Sequence, residues 1–454
     1  MPAREGRLAD GRGVGPDELS RPAPPPAVPG GGDMADRGNP THSTADLERR
    51  LVAVLGVAQR AVAVLVPGGY NDAADPSLNI PAEKVVAEAA ILLLAAARAG
   101  ASRPAIKVRL ERLAGLLEPY ARSERVRAAM TLEPALALDH GRAHLCLSSA
   151  GYRAPGYDRL LHGCGDPVSM PGRERSPYGQ LEQIWLRVLL GDSPPAGDRG
   201  RRSAMASSML GRRLDALTGT RADAYAMTHA VMFATDLGAS PVRLPRPHAA
   251  VVADLECALA ASLDCHDYDV AGEVLACWPM LRLPWTPAAT FGFQVLAAAE
   301  DAAGYLPTPL LTDEAHRALQ GAARTGYVLA ATYHTVFVMG LLCATAIAAG
   351  SPPPSAVDIS AGSPVIIPDL VAHLADGRRL QWQDHFQGLE GAQQASLAPL
   401  VLTVALRRAV AGRRLEVVRE LLSLASRRDL LGGPAPAQAA QLLQRAMILA
   451  ASFT

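Results

Sequence analysis

The chain has 454 residues, of which 49% are hydrophobic, 19% are charged and 4% are aromatic. Its 44 Lys and Arg residues balance its 44 Asp and Glu residues, so no net charge attracts the protein to nucleic acid or to an anionic membrane. The length predicts either two or three domains or one body built from repeats, with Ala, Leu and Val filling a core of closely packed helices.

The N-terminal segment, residues 1–42, is predicted to be a disordered tail. It contains RPAPPPAVPGGGD, which is dense in Pro and Gly and has no apolar periodicity. Met34 is either an alternative start or an ordinary residue of this tail. No apolar run follows the first residues, and the six cysteines lack the C-x-x-C spacing. We therefore expect no signal peptide, reduced thiols and a cytoplasmic location.

From Asp46 onward, apolar residues recur at helical spacing between short breaks that contain Pro, Gly or Asp. The exception is 360–371, a short β-like patch interrupted by prolines. In chain order, the predicted helices lie near residues 44–66, 82–99, 103–116, 122–136, 155–163, 177–190, 203–216, 221–237, 246–263, 267–279, 287–302, 312–322, 326–349, 388–411, 413–426 and 436–451.

These short helices predict an all-α fold. Each antiparallel α-hairpin can hide its apolar face only against a neighbour, so we expect the hairpins to form an α/α toroid or a solenoid. A weak boundary near residue 195 divides the body into an N-terminal part, 43–195, and a C-terminal part, 196–454. We favour the interpretation that both parts belong to one continuous body, 43–454.

The longest segment without Asp, Glu, Lys or Arg lies between Arg324 and Asp358, and it is long enough to span a membrane. Polar residues lie in its middle, at 332–335, and no cluster of Lys or Arg flanks it. We therefore predict a buried central helix over 326–349 rather than a transmembrane helix.

The strongest candidate site lies in RADAYAMTHAVMFATDLG, residues 221–238. Tyr225, His229, Phe233 and Asp236 recur at the spacing of one helix face. In the functional interpretation, His229 is a base or a metal ligand, Tyr225 orients its ring and Asp236 is a charge partner. His229 and Asp236 lie on the order of 10 Å apart, too far to chelate one metal ion by themselves. The alternative is a satisfied core histidine and an ordinary helix-end carboxylate.

His334 is the second candidate. Burying its imidazole costs roughly 1–3 kcal/mol unless the ring is hydrogen-bonded. Thr332, Tyr333 and Thr335 are polar neighbours that could supply such bonds. The functional interpretation places His334 opposite His229 across a cavity, as a general base with its partner or as two metal ligands. A structural histidine in the core is the alternative.

Two further clusters hold residue types that bind zinc. Residues 264–269, DCHDYD, follow one another at a turn between helices, where neighbouring side chains point apart, and Asp267 suits a helix N-cap. His140, His144 and Cys146 form H-x-x-x-H-x-C, but no Glu follows the first histidine as H-E-x-x-H requires. We favour a structural role for both clusters.

Two other polar positions receive ordinary interpretations. Glu88 is expected to pair with Lys84, one turn earlier on the same helix. Glu182 and Trp185 lie on the helix predicted over 177–190, and we expect Trp185 to pack in the core.

Several catalytic motifs are missing from the sequence: G-x-x-x-x-G-K-[ST], G-x-G-x-x-G, G-x-S-x-G and D-D-x-x-D. Their absence argues against nucleotide hydrolysis, Rossmann redox chemistry, α/β-hydrolase chemistry and the standard terpene cyclases. No cofactor is assigned, and metal dependence stays open.

The segment from about Ser176 to Pro309 resembles a domain family of unknown function that is common in high-GC actinobacteria. The family's landmark, Tyr-x-x-Thr-His-x-x-x-Phe-x-Thr-Asp, corresponds here to Tyr225, Thr228, His229, Phe233, Thr235 and Asp236. The run Tyr333-His334-Thr335 is similar to a second landmark, and the resemblance then covers most of residues 80–450. It implies an α-hairpin toroid and, for some members, a place near natural-product biosynthesis genes. It implies no established activity.

These observations predict an enzyme of bacterial specialised metabolism that acts on a hydrophobic small molecule or a peptide in a helical-toroid cavity, with cyclase- or lyase-like chemistry. Its catalytic residues would be His229, Tyr225, Asp236 and His334. The alternative is a non-enzymatic helical-repeat scaffold that binds a protein or peptide along a concave surface. Convergence of Tyr225, His229 and His334 in an enclosed pocket favours the enzyme.

Overall fold

The computed structural model describes residues 43–71, 78–100, 102–164, 173–192, 198–359, 367–374 and 380–452. The predicted tail, 1–42, lies outside these residues, together with Met34. Within the described ranges the protein is all-α, as predicted, and has no β-strand. Its α-helices are, in chain order, α1 (Thr44–Leu65), α2 (Ala82–Gly100), α3 (Pro104–Ala121), α4 (Glu124–Leu132), α5 (Ala137–Ser149), α6 (Pro155–Cys164), α7 (Pro177–Leu190), α8 (Asp198–Ser207), α9 (Arg221–Ala234), α10 (His248–Asp264), α11 (Tyr268–Met280), α12 (Pro287–Ala303), α13 (Asp313–Ala318), α14 (Gly321–Ala349), α15 (Ile367–Ala372), α16 (Gln381–Gln387), α17 (Gly391–Ser396), α18 (Ala398–Ala411), α19 (Leu415–Ser426) and α20 (Pro434–Ser452).

Local sequence sets the ends of several helices. Ser43 accepts a hydrogen bond from the Asp46 amide at the start of α1. Thr220 and Asp223 form a reciprocal capping box at the start of α9, the helix that carries His229. Gly350 follows α14 with φ of 63°, a left-handed conformation that glycine adopts without strain.

Helix α14 is the central helix of the fold. Twenty of its 29 residues are buried, and it contacts α1, α2 and α11. Close approach depends on Gly340, where an added Cβ would lie 2.5 Å from Val54 Cγ1 and 2.9 Å from Leu92 Cδ1. Among the described residues, α14 is the one helix long and apolar enough to span a membrane, but 89% of its apolar window is buried inside the protein. This burial is what the predicted core helix requires.

Six helices form a closed circuit of contacts. Helix α2 contacts α5, α5 contacts α7, α7 contacts α9, α9 contacts α11, α11 contacts α14, and α14 contacts α2. Other helices cover the junctions, since α1 contacts both α14 and α2, α3 contacts both α2 and α5, and α10 contacts both α9 and α11. We call these six helices the ring. Helices from both sides of residue 195 contribute to it.

The helix predicted over 203–216 is wrong in its bounds. Helix α8 ends at Ser207, and the following residues form turns. Their amides bond to distant side chains: Leu214 N donates to Asp254 Oδ2 at 3.2 Å, and Ala216 N donates to Gln438 Oε1 at 2.8 Å. The apolar residues of this segment are buried by tertiary contacts, which the periodicity alone does not distinguish from a helix.

Other elements also differ from the prediction. Helix α5 is absent from the predicted set, because the polar residues His140, Arg142 and His144 obscure its apolar period. The β-like assignment of 360–371 is wrong where the structure describes that segment, since α15 begins at Ile367. Residues 360–366 lie outside the described ranges.

Candidate functional site

The six helices of the ring line a half-open cavity of about 260 Å³. The structure brings three predicted site residues, Tyr225, His229 and His334, into its lining, whereas Asp236 is not part of it. The polar lining consists of Glu88, Arg142, Tyr178, Glu182, Tyr225, His229, Glu273 and His334. The apolar lining consists of Ile91, Leu92, Met232, Phe233, Phe337, Val338 and Leu341.

The ring of His229 is fixed by its own helix. It stacks on Tyr225 with 3.7 Å between ring centroids, and its Nδ1 lies 3.1 Å from the Tyr225 carbonyl oxygen. Because a carbonyl oxygen only accepts, Nδ1 carries the proton and Nε2 carries the lone pair. Nε2 has no hydrogen-bond partner within the described part of the chain. His229 therefore offers an acceptor to the cavity.

Burial sets the protonation state of His229. Removal from water lowers the pKa of its imidazole to about 4, against the opposing charge of Glu182 and the bond to Tyr225. The oxygen Oε2 of Glu273 lies 3.5 Å from Nδ1. At neutral pH, His229 is an uncharged imidazole, and the side chain of Glu273 lies on its Nδ1 side.

His334 is held in the opposite state. Its Nδ1 lies 3.0 Å from Glu88 Oε2, and its Nε2 lies 3.3 Å from Asp269 Oδ1 and 3.9 Å from Glu273 Oε1. Burial alone would lower the pKa of His334, but the hydrogen bond and charge of Glu88, with the charges of Asp269 and Glu273, raise it to about 9. The ring is an imidazolium at neutral pH.

The carboxyl groups around His334 carry the cost of being buried. Burial raises the pKa of Glu273, whose side chain is 3% exposed, although Thr228 Oγ1 donates a 2.6 Å hydrogen bond to it. Burial also raises the pKa of Asp269 to about 6, although His334 and Arg221 oppose the shift. Glu182 has a raised pKa for the same reason, with Arg142 2.8 Å away.

Asp236 has a structural role at the end of α9. Its backbone has φ of 50°. Its carboxylate accepts two hydrogen bonds from Arg98 Nη2, at 2.9 and 3.0 Å, and one from Trp185 Nε1 at 2.6 Å. Trp185 is 2% exposed and packs in the core, beside Phe233, as predicted. Asp236 is thus the charge partner of Arg98 and does not reach His229.

The two zinc-like clusters are engaged in ordinary bonds. His144 lies between Arg122 and Asp158, at 3.1 and 2.7 Å. In the other cluster, Asp264 pairs with Arg408, and Asp267 caps α11. In the described ranges, no group of three or more His, Cys, Asp or Glu side chains has the geometry to hold a metal ion. The structural interpretation of both clusters agrees with these contacts.

Sequence reasoning missed the carboxylates of the cavity. Glu88 does lie 3.9 Å from Lys84, the expected partner, but it also binds His334. Glu273 stands alone in VAGEVLACW, a run otherwise free of charge. A lone carboxylate in an apolar helix is costly to bury without a partner, and that signal could have marked Glu273.

Comparison with known proteins gives a family and no relative of known function. A family model described as a domain of unknown function (DUF6895) matches residues 53–344. No significant match was found among curated proteins or among solved structures. All the residues that line the cavity fall between Glu88 and Leu341, inside the matched range. The chain belongs to the DUF6895 family, and the candidate site lies within the family's domain.

Proposed function

We propose that the protein is an enzyme that binds a small, partly apolar molecule in the ring cavity and removes a proton from it. The observation that carries this proposal is the convergence of Tyr225, His229 and His334 on one half-open cavity. Environments that drive the pKa values of two titratable groups apart are typical of acid and base pairs in active sites.

Each residue has a distinct role in this proposal. His229 Nε2 accepts the proton, and the resulting imidazolium is stabilised by Glu273, which lies 3.5 Å from Nδ1. Tyr225 holds the His229 ring by stacking and through its carbonyl oxygen. His334 positions the carboxylate of Glu88 in the cavity lining, since both of its ring nitrogens face carboxylates. Proton removal of this kind starts an elimination, an isomerisation or a ring closure, which are lyase- and cyclase-like reactions.

The volume of the cavity limits the size of the substrate. Pockets for drug-sized ligands have volumes of about 300–1,000 Å³, and the cavity here is about 260 Å³. A small molecule therefore fits the proposal better than a peptide.

The proposal also includes the architecture and setting. We take the ring to be the inner layer of an α/α toroid, with α1, α3 and α10 in the outer layer, because each of these helices contacts two neighbours of the ring. A cytoplasmic role in bacterial specialised metabolism completes the proposal, and it rests on the resemblance and the reduced cysteines rather than on the cavity.

The test compares turnover by matched variants. Wild-type protein and His229→Gln are incubated with a small-molecule extract of the native host, and mass spectrometry follows the compounds consumed and formed. His248→Gln, at an exposed position at the start of α10, is the control. We expect wild type and control to convert the same compound, and His229→Gln to be folded and at least 100-fold slower. Equal turnover by His229→Gln would refute the role of His229. The absence of any turnover, with a protein or peptide bound instead, would favour the scaffold.

A further inference from the structure

We propose that the cavity recognises an amphipathic organic cation, with a primary ammonium group on a small apolar body. This inference deepens the proposed function, on whose cavity it rests, by naming the chemical class of the substrate. The lining of the cavity combines hydrogen-bond acceptors and carboxylates with apolar side chains.

Several hydrogen-bond acceptors in the cavity lining have no donor within the described part of the chain. Glu273 Oε1 makes no hydrogen bond in the described part of the chain, and its nearest cation is His334 Nε2 at 3.9 Å. His229 Nε2 likewise has no partner among the described residues. Tyr178 and Tyr225 also line the cavity, and their hydroxyl groups make no hydrogen bond among the described residues. An ammonium group brings three donors and no acceptor, which complements this lining.

The cationic side chains of the lining, His334 and Arg142, already face carboxylates. Both nitrogens of His334 face carboxylates. Arg142 lies 2.8 Å from Glu182 and 3.5 Å from Asp139, so two carboxylates balance its charge, and its buried Nε has no hydrogen-bond partner among the described residues. A bound anion would therefore meet no free positive charge. A bound cation would meet the buried side chain of Glu273.

The cavity lining also contains aromatic and apolar side chains. Tyr178 packs edge-on against Tyr225 and His229, with centroids 6.1 and 5.8 Å apart. Aromatic faces attract an ammonium group that is removed from water. Phe337 and Leu341 line the cavity about one and two turns after His334 on α14 and offer an apolar surface. The lining thus pairs an acidic and aromatic surface with an apolar one.

The experiment measures binding of three probes of the same shape. Isothermal titration calorimetry at pH 7 compares benzylamine, which is cationic, with benzyl alcohol and with benzoate. We expect wild-type protein to bind benzylamine at least tenfold more tightly than benzyl alcohol, and benzoate more weakly than both. Equal affinity for amine and alcohol, or tighter binding of benzoate, would overturn the proposal.

Two carboxamide variants locate the recognition. Glu273→Gln and Glu182→Gln should each lose at least tenfold in affinity for benzylamine while keeping their affinity for benzyl alcohol. Glu111→Gln, an exposed position on α3, should bind all three probes like wild type. A benzylamine preference that both cavity variants retain would overturn the proposal. Glu182→Gln decides the matter if Glu273→Gln does not fold.

Binding and turnover fail separately. His229→Gln should lose turnover, whereas its preference for benzylamine over benzyl alcohol should fall by less than that of Glu273→Gln, since the carboxylates remain. Ammonium binding without turnover in wild type would sink the enzymatic proposal and leave the ligand class standing. Turnover of a neutral or anionic substrate would do the reverse.

Discussion

At the residue scale, His229 and His334 have the same side chain and opposite charge states. His229 meets an aromatic ring and a carbonyl oxygen, so burial dominates and keeps the imidazole neutral. His334 meets Glu88, Asp269 and Glu273, whose charges overcome the same cost of burial. Both histidines line the cavity, and their charge states differ because their neighbours differ.

The stability of the protein should depend on the charge of His334. The pKa of this residue rises from 6.5 in the unfolded chain to about 9 in the folded protein. The stabilisation is therefore fully present below about pH 6.5 and is lost as the pH rises through about 9. We expect the free energy of unfolding to fall on the order of 2 kcal/mol between pH 6.5 and 8.5 through this group.

Urea unfolding at a series of pH values measures this loss. The variant His334→Gln should show a shallower decline over that range, whereas His316→Gln, on the short surface helix α13, should decline like wild type. Parallel curves for wild type and His334→Gln would contradict the charged state of His334.

Asp236 should matter for stability and not for the cavity. Asp236→Asn removes the charge that binds Arg98 and Trp185, so we expect a loss of about 1–3 kcal/mol in the free energy of unfolding. Chemical denaturation followed by tryptophan fluorescence measures it. Asp313→Asn, at a carboxylate that is 89% exposed, is the control and should change stability by less than about 0.5 kcal/mol. Unchanged stability of Asp236→Asn would contradict this structural role. Loss of ligand binding without loss of stability would place Asp236 in the functional site.

At the scale of elements, the packing of α14 depends on a residue without a side chain. A Cβ at Gly340 would lie under 3.0 Å from Val54 and Leu92 on two different helices. We therefore expect Gly340→Ala to cost about 1–3 kcal/mol, since the neighbours of α14 on both sides must shift.

The matched substitution, Gly115→Ala, should stabilise the protein. Gly115 lies within α3, and an added Cβ there would meet nothing within 4 Å. Gly115→Ala should raise the free energy of unfolding by about 0.5–1 kcal/mol. Thermal unfolding of both variants gives the comparison. A Gly340→Ala protein as stable as wild type would mean that α14 is packed less closely than described.

The sequence predicts the helices with one strong period and misses those with mixed faces. The uncharged run 326–349 predicts α14 because burial on all sides leaves an unbroken apolar pattern. Helix α5 is missed because Arg142 and His144 are polar residues that face inward to specific partners. Periodicity records which side chains avoid water, and it cannot record polar groups satisfied by tertiary contacts.

The sequence likewise predicts only part of the candidate site. Helical spacing places Tyr225 and His229 together, since both lie on α9. It cannot supply Glu88, which binds His334 across 246 residues of chain, nor assign Asp236 to Arg98, 138 residues away. Closure of the ring makes these pairs, so the charge state of each histidine follows from the fold.

At the scale of the whole molecule, α14 belongs to the interior. Because 89% of its apolar window is covered by the protein's own helices, we expect the full chain to stay in solution without detergent. Size-exclusion chromatography with light scattering should show one discrete species in detergent-free buffer. Recovery that requires detergent would mean that α14 leaves the core for a membrane.

The central claim is that one cavity holds a neutral His229 beside a cationic His334. Long-range ¹H–¹⁵N correlation spectra of histidine-labelled protein at pH 7 test it, with His229→Gln and His334→Gln assigning the two rings. We expect His229 to show a protonated Nδ1 and an unprotonated Nε2, and His334 to show two protonated nitrogens. Two rings that both titrate near pH 6.5 would contradict the account.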